Sequence, residues 1–184
     1  MSILTNIELN HLLDAGIIRG AHKAHVNGAS IDITLGSWVM VEAPPGGNSN
    51  VVDLFDKATP AMRGVDLMAT GYFDLAPYQF CLASSVEKFY LPDDIVADFQ
   101  LKSSLARSGL DHALSGHCDP GWHGSVLTLE LFNNLRWHSL RLRPGMPIGQ
   151  VVFHRGYPVP PAASYAKTGR YNLDVTAQPS KRAT

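Results

Sequence analysis

Cysteine is nearly absent: Cys81 and Cys118 are the only two in 184 residues. Two thiols cannot build a disulfide framework or a cysteine-based zinc site. Net charge is missing too. Fifteen Lys and Arg stand against sixteen Asp and Glu, a formal charge of -1. A dedicated duplex-DNA binder needs a basic excess, so that class is excluded, while a small anion held by a few placed cations is not. No apolar run approaches the roughly 20 residues of a membrane-spanning helix. Residues 1–13 carry no basic stretch leading into a long apolar one, so no secretory signal is expected. Neither a nucleic-acid nor a membrane partner is therefore expected, and the expected location is cytoplasmic. Walker loops, the dinucleotide-binding glycine fingerprint and the Gly-x-Ser-x-Gly elbow are all lacking. The zinc deaminase pattern needs His-x-Glu and Cys-x-x-Cys, and neither occurs. His117, Cys118 and His123 are close in sequence but do not make a zinc site on their own.

What is present is an ordinary globular composition, with 45% hydrophobic and 17% charged residues. The length suits one domain with a substantial core. Thr5-Asn6-Ile7-Glu8 fits a capping box, and Ile7, Leu9, Leu12, Leu13 and Ile17 give an approximate apolar face, so a helix is predicted with Gly16 ending it. Most of the rest reads as short strands: residues 30–35 with Gly36 closing the run, then 37–41, 73–75, 80–83, 126–132, 140–142 and 148–153. Gly, Pro, Asn and Asp separate them, a spacing that suits a barrel or sandwich. Residues 44–50 read as a mobile turn-rich loop, and residues 103–109 as a short helical turn. The polar stretch 164–184 has little to bury and reads as a tail, disordered or ordered by a partner or ligand.

Two places carry candidate chemistry. Lys102-Ser103-Ser104-Leu105-Ala106-Arg107 puts two hydroxyls and two cations within two helical turns, a set suited to a phosphate. A helix N-terminus with solvated charges is the equally economical reading. In Val126-Leu127-Thr128-Leu129-Glu130-Leu131-Phe132, alternation sets Thr128 and Glu130 on one face and the leucines on the other. The chain holds only four glutamates, and Glu is a poor mid-strand residue that is costly to bury unpaired. In a cleft, its desolvated carboxyl would be fitted to move protons. On a half-exposed strand it would simply face solvent.

Taken together, six ordered motifs carry a resemblance. They are Asn27-Gly28-Ala29-Ser30-Ile31-Asp32, Leu91-Pro92-Asp93-Asp94, Lys102-Ser103-Ser104-Leu105-Ala106-Arg107, Asp119-Pro120-Gly121, Thr128-Leu129-Glu130-Leu131 and Pro144-Gly145-Met146-Pro147-Ile148-Gly149-Gln150. The chain resembles the dCTP deaminase branch of the dUTPase superfamily, and Gly169-Arg170-Tyr171 is similar to that family's closing segment. The resemblance implies a mainly β fold, a distorted antiparallel β-barrel or jelly-roll with an N-terminal helix and a mobile C-terminal tail. It implies one nucleotide-binding domain over residues 1–163, a closing segment over 164–184, and a homotrimer with sites between subunits. The implied reaction is hydrolytic deamination of dCTP to dUTP and ammonia without zinc, with Mg2+ on the triphosphate. By family role Glu130 activates water, while Ser103 and Arg107 orient the water and the leaving amine. Lys102, Ser104 and Gln150 hold phosphates, Asp119 sits by the deoxyribose, and Tyr165, Lys167 and Arg170 close over the nucleotide.

Some relatives also cleave dUTP to dUMP and pyrophosphate. Gly116, Lys102 and Gln150 are more similar to that bifunctional type, in which Asp119 helps activate water at phosphorus. A dUTPase without deaminase activity and a non-catalytic nucleotide sensor are the remaining alternatives. The sequence departs from the family at residues 110–119, one residue short, and at 124–128, one residue long. The small Ser115-Gly116 pair would leave room for a substituted cytosine, although loop changes that leave specificity intact are the more economical reading. Leu173-Asp174-Val175-Thr176 replaces a more polar, Gly-containing stretch.

Overall fold

A computed structural model describes residues 1–46, 50–55 and 59–181. In chain order the elements are β1 (Ser2–Ile3), α1 (Asn6–Asp14), β2 (Ile18–Arg19), a 3-10 turn (Lys23–His25), β3 (Ile31–Glu42), β4 (Met62–Asp66) and α2 (Leu67–Thr70). There follow β5 (Phe73–Leu75), β6 (Phe80–Tyr90), β7 (Ile95–Leu101), α3 (Ser103–Arg107), β8 (Leu110–His112), β9 (His117–Cys118) and β10 (His123–Asn133). The last are β11 (Leu140–Leu142), β12 (Pro147–Arg155) and α4 (Tyr165–Thr168). Every strand pairing is antiparallel. The main sheet runs β8-β10-β6-β3-β12-β7-β9, with β5 and β11 forming a separate pair. The fold is thus mainly β, and the sheet curls.

The curl comes from long strands that change partners. The first half of β3 pairs with β12, and its second half with β4 and β6. The sequence puts a break at Gly36, but β3 runs straight through it. A Cβ there would stand 2.6 Å from Ser84 Oγ and 2.9 Å from the Ser84 carbonyl. Glycine is therefore required by a close backbone approach, and the register slips between Leu35 and Val39 at the same place, as at a β-bulge. The helix α1 starts as expected, with the Thr5 backbone N–H donating to Glu8 Oε2 at 3.1 Å. It ends before Gly16 at φ 69°. Of its expected apolar face Leu9 and Leu12 are buried, while Ile7 is 71% exposed. Of the loop at residues 44–50, 47–49 lie outside the described residues. No described helix is long and apolar enough to cross a membrane.

Between the sheet layers Phe89 stacks on Trp122 and Phe153, with centroids at 5.4 and 6.5 Å. One carboxylate is buried in this core. Glu87 accepts from the Thr34 N–H at 3.1 Å and the Thr34 hydroxyl at 2.8 Å. Burial raises its carboxyl above the ordinary value of 4.5, and the Thr34 bonds offset only part of that. The folded state therefore holds this proton more tightly than the unfolded chain does. The stability Glu87 contributes is fully present below its unfolded value and is lost as pH rises through the raised one. Glu87→Gln, which keeps an acceptor without the charge, is expected to gain in Tm relative to the wild type as pH rises above the ordinary carboxyl value of 4.5. A Tm difference that does not change with pH contradicts this.

Candidate active site

Strand β10 alternates as its sequence predicts. Leu127, Leu129 and Leu131 are buried, and Thr128 and Glu130 are half-buried on the opposite face. That face opens on a cavity of about 510 Å³ whose lining includes Thr128, Glu130, Ser115, His117 and Asp119. Glu130 is held at one oxygen. The Ser115 hydroxyl donates to Oε2 at 2.8 Å. His112 Nε2 stands 3.3 Å from the same atom, in ion-pair range but without hydrogen-bond alignment. The imidazole is buried and tilted against Phe99, with centroids at 4.8 Å.

The loop that supplies Ser115 is short. Ala113 N–H donates to the Glu130 carbonyl at 3.1 Å. Leu114 takes a left-handed φ of 58° with its side chain 94% exposed, a conformation that costs a non-glycine residue about 1–3 kcal/mol. The glycine at 116 serves packing. A Cβ there would lie 2.7 Å from Phe99 Cβ and 3.2 Å from the Phe99 carbonyl. Its missing side chain therefore lets the chain at β9 approach β7, and Gly116 itself lines the cavity.

Asp119 opens a tight turn in which Trp122 N–H donates to its carbonyl at 3.1 Å and Gly121 has φ 85°. Its carboxylate faces His117 Nε2 at 3.5 Å. Cys118, between them, is buried, and burial pushes its thiol well above the ordinary range. Among the described residues no three His, Cys, Asp or Glu side chains are grouped to hold a metal ion.

The phosphate-type cluster lies elsewhere. Lys102 Nζ pairs with Asp32 Oδ2 at 2.6 Å. Asn27 Nδ2 donates to Asp32 Oδ1 at 2.9 Å, and the Ser30 hydroxyl donates to Gln150 Oε1 at 3.1 Å. In the sheet, Gln150 is directly opposite Asp32. This brings Lys102 and Gln150 into one neighbourhood. The side chains of Ser103, Ser104 and Arg107 project from α3 as exposed groups. Neither these three nor Lys102 or Gln150 line the cavity that holds Glu130.

Residues 164–181 are folded onto β10, although their composition reads as a tail. Trp122 Nε1 and the Ser125 hydroxyl both donate to the Tyr171 carbonyl at 2.8 Å. Val126 N–H donates to the Asp174 carbonyl at 2.9 Å, and Leu173 N–H to the His123 carbonyl at 3.0 Å. Ser164 caps α4 and donates to Asp93 Oδ1 at 2.6 Å. Tyr165 lines the cavity, and burial raises its phenol. Lys167 and Arg170 stay exposed. Tyr171, Asp174 and Gln178 also line the cavity. In the sequence Asp174 stands out only as a departure from the family pattern, and no local signal gives His112 or Asp174 a role.

The chain is similar to several known proteins. A family model described as dCTP deaminase-like matches residues 3–156. A protein of Methanoregula boonei named "dCTP deaminase, dUMP-forming" is 41% identical over 155 residues, covering 83% of this chain and 81% of that one. One of the same name from Aquifex aeolicus is 33% identical and covers 97% and 94%. A "dCTP deaminase" of Shewanella amazonensis is 36% identical and covers 83% and 82%. Among solved structures, the 2'-deoxycytidine 5'-triphosphate deaminase from Agrobacterium tumefaciens superposes with a TM-score of 0.65 at 23% identity. That match covers 84% of this chain and 48% of the other, about half its length, and bears on the fold alone.

Proposed function

Because the chain belongs to the dCTP deaminase-like family, we propose that it removes the amine from dCTP and then cleaves the resulting dUTP to dUMP and pyrophosphate. The sequence alone ranks deamination that stops at dUTP first. The choice of the two-step reaction is supported by the dUMP-forming names of relatives at 41% and 33% identity. The observation that carries it is the shared cavity: Glu130, anchored by Ser115, and Asp119, facing His117, line the same space.

In the first step Glu130 takes a proton from water as the oxygen bonds to C4 of the cytosine. It passes that proton to N3, which holds the electron pair of the broken C4=N3 π bond, and then carries the new hydroxyl's proton to the exocyclic nitrogen; C4=O forms as the C4–N bond breaks, and ammonia leaves. One carboxylate serves as base and then acid, which suits a half-buried glutamate held by a single hydroxyl. In the second step water bonds to the α-phosphorus, its proton goes to Asp119, and pyrophosphate departs with the electrons of the broken P–O bond. Mg2+ enters as part of the substrate, bound to the triphosphate, and neutralises its charge.

Ser103, Arg107, Lys102, Ser104 and Gln150 reach this cavity from a neighbouring copy of the chain. Ser103 and Arg107 meet the water and the amine, and the other three meet the phosphates. A closed trimer supplies each site in this way, since each subunit lends α3 to the next. Residues 1–163 form the nucleotide-binding domain, and residues 164–184 close over the bound nucleotide through Tyr165, Lys167 and Arg170. A free nucleoside triphosphate as substrate fits a cytoplasmic enzyme.

Asp119→Asn tests the second step. With dCTP as substrate it is expected to keep ammonia release within about tenfold of wild type while dUTP accumulates and pyrophosphate falls by about a hundredfold or more. Chromatography of the products reads both. Pyrophosphate released at the wild-type rate would exclude Asp119 from the chemistry.

A further inference from the structure

The mechanism leaves one arrangement beside the cavity without a role. His117 on β9 stands between two carboxylates contributed by different parts of the fold. Its Nδ1 hydrogen-bonds Asp98 Oδ1 on β7 at 2.8 Å, and its Nε2 faces Asp119 Oδ1 at 3.5 Å. The second oxygen of Asp98 lies 3.5 Å from His154 Nε2 on β12. The β7–β9 pairing, Asp98 opposite His117 and Ala97 opposite Cys118, fixes this order. A carboxylate can only accept, so Asp98 fixes the proton on Nδ1 and with it the plane of the ring. The other ring nitrogen is then directed at Asp119.

The geometry points to His117 as a positioning residue for Asp119 in pyrophosphate release. Set between two carboxylates, the ring acts as an imidazolium with both nitrogens protonated, and its Nε2–H donates to Asp119 Oδ1, so the carboxylate presents its other oxygen to the water that attacks the α-phosphorus. Asp98 serves as the anchor of the ring, and His154 braces Asp98 from the neighbouring strand. The segment 110–119, one residue shorter than the family pattern, carries both His117 and Asp119. Glu130 is held instead by Ser115 and approached by His112, so the two chemical steps have separate supports. The inference rests on the pyrophosphate-releasing half of the proposed function.

The test separates the two ring nitrogens. In His117→Asn the amide nitrogen falls near the Nδ1 position, and in His117→Gln near the Nε2 position. Each variant of the full chain is assayed with Mg2+ for ammonia release from dCTP and pyrophosphate release from dUTP. His117→Asn is expected to lose at least about tenfold more of its pyrophosphate release than of its ammonia release. His117→Gln is expected to recover most of that difference, because it can still donate to Asp119. Equal losses in both reactions, or recovery by Asn and not by Gln, overturn the inference. In those cases His117 only ties β9 to β7. If both variants fail to fold, Asp98→Asn is the second probe. It is expected to shift the ratio of the two rates in the same direction by a smaller factor, and an unchanged ratio overturns the inference. A wild-type chain that releases ammonia but no pyrophosphate overturns the diphosphatase half of the proposed function and this inference with it. Wild-type release of both with unchanged ratios in every variant overturns this inference alone.

Discussion

Glu130→Gln is expected to lower ammonia release from dCTP by about a thousandfold, the scale of a removed acid–base group, while dCTP still binds. Among the described residues three carboxylates line the cavity: Glu130, Asp119 and Asp174. Asp174 is neutralised by Lys181 Nζ, which donates to both its oxygens at 2.6 and 2.8 Å. Asp119 is 56% exposed at its side chain and faces His117. Glu130 is 25% exposed, accepts from one neutral hydroxyl at 2.8 Å, and has a buried imidazole 3.3 Å away. Asp174 is the best shielded, at 14%, but is tied to a lysine, and Asp119 is the most exposed; Glu130 is shielded with no lysine or arginine on it, so it is the group free to take a proton and give it back. Glutamine keeps the size and a hydrogen bond to Ser115 but carries no proton between water and nitrogen. Steady-state ammonia release and calorimetric binding of dCTP check the two parts. A variant that still turns over at the wild-type rate would remove Glu130 from the mechanism.

The second large effect follows from where α3 lies. Ser103 and Arg107 project from the surface outside the Glu130 cavity, so in the proposed trimer each site takes Glu130 from one copy and Arg107 from another. Arg107→Ala and Glu130→Gln should each be nearly inactive alone. Refolded together in equal amounts, they should recover about a quarter of the wild-type rate. Half of the subunits offer an intact Glu130, and half of their neighbours an intact Arg107. A site built within one chain would gain nothing from mixing. Ammonia release by the mixture, measured against the separate variants, decides between the two arrangements.

The legible parts of this molecule were those in which local pattern and burial coincide. Strands at 73–75 and 140–142 have the bounds that the alternation predicts. Thr128 and Glu130 share a face for the same reason. Gly36 misleads because a glycine within a strand looks like a stop, while here it permits β3 to pass close to Ser84. Strand β7 escapes notice because Asp98 and Gln100 dilute its apolar residues, although Ile95, Ala97 and Phe99 are buried. The tail escapes for a different reason. It is held by backbone and side-chain hydrogen bonds along β10, and composition records apolar burial only. At the site, Glu130 is conspicuous as a lone acid among leucines. The pairing of His117 with Asp98 and Asp119 arises from strands β7 and β9 meeting, which spacing along the chain does not reveal.

Whether one chain performs both hydrolyses is decided by following ammonia and pyrophosphate together in a single reaction of the wild type with dCTP and Mg2+. Pyrophosphate rising in step with ammonia, with dUMP as the nucleotide product, is the expected result. Ammonia released without pyrophosphate, with dUTP accumulating to completion, would contradict it.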